Sequence, residues 1–315
     1  MITTLVIQGT YLGAAVLFIL SLKWLSHPTT ARRGVRVGEL GMALAIMGTL
    51  LHREIVSYQW ILVGFVLGSA IGLPLAVFMP MTHVPKRTAL SHAFGALAAA
   101  LVGTSEYYLR TGELSTFTMA VLSVEVSLGF LTFTGSLMAF GKLQDLVPGR
   151  PIVYQGQNAV NLSLLAAVVG CAVYLVRNPG SSALFPVVAA LSLLFGFLLI
   201  IPIGGADMPT VIALLNSYAG LSAAAMGFVL DNNLRIVAGA LDGSSGFILS
   251  VIMCRDMNRS FTNVLFGGFG QVRIAAGAVE QRSARSASAE DSAAILEAAS
   301  SVIIIPGYGM AVAQA

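Results

Sequence analysis

Long apolar runs separated by short polar segments occupy most of the chain. A helix that crosses a bilayer needs about 20 apolar residues, and these runs have that length. The pattern predicts nine spans, at 4–25, 37–52, 59–80, 88–109, 117–140, 158–176, 183–202, 209–230 and 234–254. The second span is the least secure prediction because glycines interrupt its apolar run. We therefore predict an all-α polytopic membrane protein.

The composition supports the same fold class. Of the 315 residues, 57% are hydrophobic and only 10% are charged, and the mean hydropathy is +0.86. A soluble domain carries roughly a quarter charged residues, so a soluble enzyme, a disordered chain and a disulfide scaffold are excluded. Cys171 and Cys254 both lie in apolar runs, and no metal-ligand spacing occurs. We interpret them as packed thiols and predict no metal site.

The basic residues orient the predicted bundle. Of the 17 lysines and arginines, 13 fall on the side that contains the C-terminal segment. The other four, on the opposite side, are Arg53, Arg110, Arg177 and Arg235. The positive-inside rule then places the N-terminus outside and the C-terminus in the cytoplasm. The net charge of +3 therefore reflects topology and does not indicate nucleic-acid binding.

The chain changes character after the ninth span. We predict a transmembrane domain over 1–262, an exit segment and linker over 263–288, and the start of a second domain over 289–315. Ser288 and Asp291 have the spacing of a capping box, which predicts a short helix to about residue 299. The run 302–305 is typical of a buried strand, and a Gly-x-Gly turn at Gly307 and Gly309 follows it. A lone Gly-x-Gly is a weak sign of a dinucleotide site.

Ionisable and polar residues inside the spans are the candidate chemistry. Each charged group costs at least about 2.5–3.5 kcal/mol at bilayer depth, so such residues usually face the bundle interior. Counting along the spans predicts Glu125 in the outer half, Asp242 near the middle, and His92 with Asn216 in the inner half. The remaining candidates lie on the cytoplasmic side of Asp242: Ser244, Ser245 and Ser250.

These residues predict a proton relay, because histidine gains and loses a proton near neutral pH. The alternative is that each polar group joins two helices through one hydrogen bond. Small residues at every fourth position predict close helix contacts on three spans. They are Gly9 with Gly13, Gly64 with Gly68 and Gly72, and Gly239 with Gly243.

Several motifs resemble the β subunit of proton-translocating NAD(P) transhydrogenase. They run in order along the chain: TFTGS at 132–136, FGKL at 140–143, IGGADMP at 203–209, LLNSYAG at 214–220, GSSG at 243–246, MNRS at 257–260 and PGYGMAVAQ at 306–314. The resemblance extends from the first span to the end of the sequence.

The resemblance implies hydride transfer between NAD(H) and NADP(H), coupled to proton movement through the membrane domain. It implies that NAD(H) binds a partner α subunit, which contributes further helices, and that NADP(H) binds a Rossmann-like C-terminal domain of the β subunit. It also implies a dimer of protomers in the bacterial inner membrane. Transferred residue by residue, it makes His92 the proton carrier and Asn216 its polar partner. Asp207 and Arg259 become coupling residues between the membrane and nucleotide domains.

The resemblance assigns the C-terminal turn to a partial NADP(H) site, formed by Gly307, Tyr308, Gly309, Met310, Ala311 and Val312. Two features depart from the family. Asp242 stands where an apolar residue is expected, and the nucleotide domain ends after its first turn. We therefore expect that this chain alone binds no cofactor and transfers no hydride. The alternatives are a secondary transporter or stand-alone proton channel, and a purely structural membrane subunit.

Overall fold

The computed structural model describes residues 2–51, 55, 57–110, 112–257, 260–261 and 288–303. The chain divides into two compact units, Met1–Gln271 and Val272–Ala315. Every regular element in the described ranges is helical, and none of those residues is in a strand.

Nine long helices form the described part of the first unit. They are α1 (Ile2–Leu25), α2 (Ala31–Leu50), α3 (Gln59–Phe78), α4 (Val84–Leu109), α5 (Thr116–Leu143), α6 (Gln157–Arg177), α7 (Leu184–Ile200), α8 (Met208–Val229) and α9 (Asn233–Asp256). Each coincides with one predicted span. The largest difference is the start of α2, predicted at residue 37 and observed at Ala31, because a charged first turn precedes the apolar part of this helix.

Seven of these helices are long and apolar enough to cross a membrane. The two others are α2 and α7. The first half of α2 carries three arginines and Glu39, and α7 is apolar but only 17 residues long. Length and hydropathy therefore support seven membrane spans. The two remaining helices, α2 and α7, each lie in the chain between two helices that meet both criteria.

Helices α5 and α8 form the centre of the unit. In α8, 61% of the apolar span is buried, whereas none of α3 is. One apolar core joins α5, α7 and α8 through Leu131, Leu199 and Leu215. A second core joins α4, α5 and α7, and in it the rings of Tyr107 and Phe185 stack with 4.2 Å between their centroids. These two cores fix the position of α5 between its neighbours.

Glycines let α8 and α9 approach closely. A Cβ at Gly239 would meet the backbone of Ala224, and a Cβ at Gly243 would lie 3.2 Å from the amide nitrogen of Leu221. The predicted contact of Gly239 and Gly243 is therefore confirmed. Small residues in membrane helices allow this kind of packing.

The same prediction for α3 is wrong in this chain. A Cβ added at Gly64, Gly68 or Gly72 would have no atom within 4 Å, and α3 has no buried residue. On α1, a Cβ at Gly13 would reach only Leu44, and one at Gly9 would contact nothing. Glycine spacing shows that a helix face is smooth, but it does not determine what packs against that face.

The second unit contains α10 (Ala289–Ala298). Ser288 accepts a hydrogen bond from the Asp291 amide, and the Asp291 carboxylate accepts one from the Ser288 amide, so the predicted capping box is confirmed. Val302 and Ile303, the described half of the predicted strand, are irregular and exposed. A strand requires a pairing partner, and the described residues supply none. The rest of that run, the Gly-x-Gly turn and most of the predicted linker lie outside the described residues.

Candidate functional site

Asn216 and Asp242 form a direct contact between α8 and α9. The Nδ2 of Asn216 donates to the carboxylate Oδ1 of Asp242 at 3.2 Å and to its backbone carbonyl at 3.3 Å. A Cβ at Gly246 would lie 2.7 Å from this Nδ2, so a glycine there makes room for the amide. Counting along the helices predicted Asp242 near the middle of the bilayer and Asn216 in its inner half. The register of α8 against α9 instead brings the two residues together.

His92 completes an inner cluster, which we define as His92, Asn216 and Asp242. His92 is half-buried on α4, and its charge interacts with that of Asp242. The Nδ1 of His92 is buried and makes no hydrogen bond with the residues that the structure describes. A hydrogen bond thus joins the amide of α8 to the carboxylate of α9, and the charge of that carboxylate also acts on the imidazole of α4. Asp242 itself is exposed on the surface of the unit.

The three predicted serines have different surroundings. Ser245 donates to the backbone carbonyl of Asp242 at 2.9 Å, so it belongs beside the inner cluster. Ser250 is fully buried and donates to the carbonyl of Thr210 on α8 at 3.4 Å. Ser244 is exposed. Ser245 and Ser250 are therefore bonded to backbone carbonyls, and only Ser250 joins two helices.

Glu125 lies on α5, away from the inner cluster. Its side chain is fully buried against Gly103 of α4, where an added Cβ would be 2.9 Å from the carboxylate carbon. No hydrogen bond of good geometry reaches either carboxylate oxygen from the described residues. The charges of Arg235 and Glu106 act on it from α9 and α4. A buried carboxylate without a close ion pair is costly, so its place in the bundle calls for a function.

Lys142 is a buried residue whose role the sequence pattern did not reveal. Its side chain is 2% exposed, and Nζ donates to the backbone carbonyls of Ile201 and Ile203 at 2.5 and 2.6 Å. These carbonyls follow the end of α7, where the helix dipole favours a positive charge. Loop charge counting assigned Lys142 to topology alone. Its position in the FGKL motif was the signal that it has a further role.

The two loops beside Lys142 are joined by backbone hydrogen bonds. Gly205 donates to the carbonyl of Gly149 at 2.7 Å, and Ile152 donates to the carbonyl of Ile201 at 3.3 Å. In the α5–α6 loop, Tyr154 donates to Asn161 Oδ1 at 3.1 Å, and burial raises the pKa of the Tyr154 hydroxyl. The two backbone bonds attach the segment that leads from α7 into α8 to the α5–α6 loop.

Asp207 lies in this ordered segment. It ends a short 3₁₀ helix, Gly205–Asp207, and directly precedes α8. Its charge acts on the thiol of Cys254 in the last turn of α9. Asp207 is therefore close to the last turn of α9. The second predicted coupling residue, Arg259, lies outside the described residues, as do the six predicted NADP(H) residues at 307–312.

Comparison with known families identifies the chain. The sequence model of the family described as NAD(P) transhydrogenase beta subunit matches residues 7–315. The chain belongs to the NAD(P) transhydrogenase beta subunit family. The NAD(P) transhydrogenase subunit beta of Rhodospirillum rubrum is 46% identical over 318 residues, an alignment that covers 98% of this chain and 68% of that protein. A second protein of the same name, from a designated strain of that species, matches with the same figures.

Membership of this family and the apolar helices together make the chain a multi-pass membrane protein. The expected resemblance is confirmed over nearly the whole length, which includes both the inner cluster and the end of α9. In the described part of the chain, no group of three or more His, Cys, Asp or Glu residues is arranged to hold a metal ion.

Proposed function

We propose that this chain is the proton-translocating membrane subunit of an NAD(P) transhydrogenase. In this role it couples proton movement across the membrane to hydride transfer between NAD(H) and NADP(H). The observation that carries the proposal is the inner cluster. In it Asn216 of α8 bonds to Asp242 of α9, and the charge of Asp242 acts on His92 of α4, in a chain that matches the family over nearly its whole length.

Within this cluster, His92 is the proton carrier. Its imidazole is the side chain in the cluster suited to exchange a proton near neutral pH. The Asp242 carboxylate supplies a counter-charge for the protonated ring, and Asn216 holds that carboxylate through its amide. Asn216 is thereby a partner of His92 through Asp242. Ser244, Ser245 and Ser250 extend the polar path from this cluster toward the cytoplasm.

Glu125 is the proton site of the outer half. It lies fully buried where α4 and α5 pack together, close to the end of α4 that carries Glu106 and Arg110. A carboxylate at this position takes up protons from the outer side and passes them inward. Buried ionisable groups of this kind mark proton pathways in membrane proteins.

Coupling to the nucleotide domain runs through Asp207 and Arg259. Hydride transfer between two nicotinamides carries no proton across the membrane, so protons drive it by changing the affinity for NADP(H). Protonation of His92 is a local electrostatic event that shifts the conformation of the segment preceding α8 and of the segment following α9. The proximity of Asp207 to Cys254 supports a connection between these two segments.

For topology, we propose nine spans, with the N-terminus outside and the C-terminus in the cytoplasm of a bacterial inner membrane. NADP(H) binds the complete β subunit through residues that include the turn at 307–312. NAD(H) binds the α subunit, whose helices complete the membrane domain, and two protomers form a dimer. The exposure of Asp242 supports a partner helix at its position, since an ionisable side chain is costly in contact with lipid.

The proposal is tested with His92→Asn in the assembled complex, reconstituted in proteoliposomes. We expect proton translocation and reverse transhydrogenation both to fall by about 100-fold, the lower end of what a positioned proton carrier contributes. His27→Asn is the control, because His27 is exposed in the loop after α1. If His92→Asn retains both activities at the level of the control, the proposed role of His92 is wrong.

Proteoliposomes also distinguish the proposed function from the alternative one. A stand-alone proton channel or secondary transporter would move protons in vesicles that contain only this chain, without any nucleotide. We expect such vesicles to hold an imposed pH gradient as long as protein-free vesicles do. Rapid dissipation of the gradient that His92→Asn abolishes would favour the channel.

A further inference from the structure

Four basic side chains lie where α1 and α2 form a hairpin. They are Lys23 in the last turn of α1, and Arg32, Arg33 and Arg36 in the first two turns of α2. All four are exposed, and none forms an ion pair with a residue that the structure describes. The connection between the helices, 26–30, contains neither lysine nor arginine. The positive charge therefore lies on the helices themselves and has no close counter-charge within the described chain.

Contacts between α1 and α2 place the four residues at nearly the same depth. The hydroxyl of Ser21 donates to the carbonyl of Gly34 at 2.9 Å, and a Cβ at Gly38 would lie 2.8 Å from the same hydroxyl oxygen. Because the two helices run antiparallel, Lys23 is then level with Arg36. At a rise of 1.5 Å per residue, positions 32 to 36 cover about 6 Å. A headgroup layer is about 5–7 Å thick, so all four side chains fit within one layer.

The arginines share one face of α2 with exposed apolar side chains. Within about 60° of a single line along the helix lie Arg32, Arg33, Arg36, Leu40 and Met47. The glycines that contact α1 lie on the opposite face. Leu40 and Met47 are 60% and 52% exposed. Met47 is about 16 Å from Arg36 along the axis, which is about half the thickness of the hydrocarbon core. This face therefore presents positive charge at headgroup depth above an apolar surface as deep as one leaflet.

The position of the arginines on α2 is unfavourable unless an anion lies near them. The N-terminus of a helix carries a partial positive charge, so basic side chains in its first turns destabilise it. No acidic residue occupies the first turn of α2, and the N-cap residue Thr30 makes no capping bond. The one acidic residue on this face, Glu39, lies about one turn deeper than Arg36 and forms no ion pair with the described residues. Four positive charges thus stand against one negative charge.

Trp24 supports the assignment of this level to the membrane–water interface. Its carbonyl accepts a hydrogen bond from the Thr30 hydroxyl at 2.7 Å, which ties the start of α2 to the end of α1. The Cζ of Arg33 lies 5.6 Å from the centroid of the Trp24 ring. Tryptophan is enriched at the depth of the lipid headgroups. The guanidinium group of Arg33 is therefore held at that depth.

We propose that the α1–α2 hairpin binds an anionic phospholipid. Clusters of four or more basic residues at the cytoplasmic end of a membrane helix attract anionic headgroups. The lipid phosphate accepts hydrogen bonds from the arginines, since guanidinium groups match phosphate geometry. The acyl chains lie along the apolar face at Leu40 and Met47. Membrane topology requires positive charge on this side of the bilayer, but it does not require one helix face that combines charge with a matching apolar surface. The inference goes beyond the proposed function, because α1 and α2 supply no residue of the proton path.

The test measures phospholipid binding to the assembled complex in a neutral detergent. Phosphatidylglycerol should raise the melting temperature and stay bound in native mass spectrometry, and phosphatidylcholine, which has no net charge, should bind at least about tenfold more weakly. For the cluster variant, with Arg32→Gln, Arg33→Gln and Arg36→Gln combined, we expect about 100-fold weaker binding of phosphatidylglycerol. Each basic side chain near the membrane surface contributes about fivefold. Equal binding of the two lipids, or equal binding by the wild type and the cluster variant, would overturn the proposal.

A matched control removes the same charge from the same predicted side of the membrane. It combines Lys86→Gln, Arg150→Gln and Arg255→Gln, which are dispersed over α4, the α5–α6 loop and α9. We expect this control to bind phosphatidylglycerol as the wild type does. If the control loses as much binding as the cluster variant, net charge attracts the lipid and the proposed site is wrong.

Two further arms use the unchanged complex. Inorganic phosphate should not raise the melting temperature at the concentrations where phosphatidylglycerol does, because it has no acyl chains to contact α2. Equal protection by phosphate would assign the cluster to a soluble anion and overturn the lipid site. A photoreactive phosphatidylglycerol should label residues between 22 and 47, and labelling confined to other helices would contradict the proposal. Because every readout is lipid binding, the result is independent of the outcome for His92→Asn.

Discussion

Asn216 on α8 donates a hydrogen bond to the carboxylate of Asp242 on α9, with 3.2 Å between Nδ2 and Oδ1. Asp242 occupies a position where the family resemblance leads us to expect an apolar side chain. The pair therefore gives this chain an amide–carboxylate contact beside His92, and its geometry depends on the close approach of α9 at Gly246.

The Asn216–Asp242 pair is expected to contribute measurably to stability. In a double-mutant cycle of Asn216→Ala and Asp242→Ala, we predict a coupling free energy of about 0.5–2 kcal/mol, as found for hydrogen bonds between membrane helices. The measurement is reversible unfolding of the purified chain in mixed micelles. A coupling energy of zero would mean that the two side chains do not interact in solution.

Gly246→Ala should destabilise the bundle, because the new methyl group would meet the Nδ2 of Asn216 and the backbone of Ser217 at 2.7 Å. Overpacking of this kind costs about 1–3 kcal/mol. Gly68→Ala is the matched control, since a Cβ there has open space around it. Thermal unfolding of the isolated chain should distinguish the two variants, and equal melting temperatures would contradict the observed helix contact.

Lys142→Met should weaken the end of α7. Methionine keeps an unbranched apolar stem but leaves the carbonyls of Ile201 and Ile203 without their donor, which costs about 2 kcal/mol. Lys23→Met is the control because Lys23 is exposed in the last turn of α1. Hydrogen exchange over residues 201–207 should increase in the Lys142 variant only. Unchanged exchange there would show that Lys142 does not order this segment.

Glu125→Gln should slow proton translocation by about tenfold or more in the assembled complex, because an amide cannot release the proton that the outer site passes inward. Glu113→Gln serves as the control, since Glu113 is exposed in the α4–α5 loop. The rate of translocation in proteoliposomes is the measurement. Wild-type activity of Glu125→Gln would restrict Glu125 to a role in packing.

The helices and their approximate ends were predictable from the sequence. In a bilayer each span must satisfy its backbone hydrogen bonds internally, so a long apolar run is sufficient to specify a helix. The capping box at Ser288 was predictable for a similar reason, since its two hydrogen bonds join residues three positions apart. The motifs around Asp207 and Asn216 were likewise enough to indicate the family, which the comparison confirmed.

What only the tertiary structure decided is which residues meet between helices. Hydropathy and spacing are properties of one segment, whereas the contact of Asn216 with Asp242 depends on the register of α8 against α9. The same limit explains why the predicted helix contacts of the α3 glycines are not found within this chain, and why Lys142 was taken as a topology charge. The apolar pattern of this protein determined its membrane helices, and the packing of those helices determined the pairings in its candidate proton path.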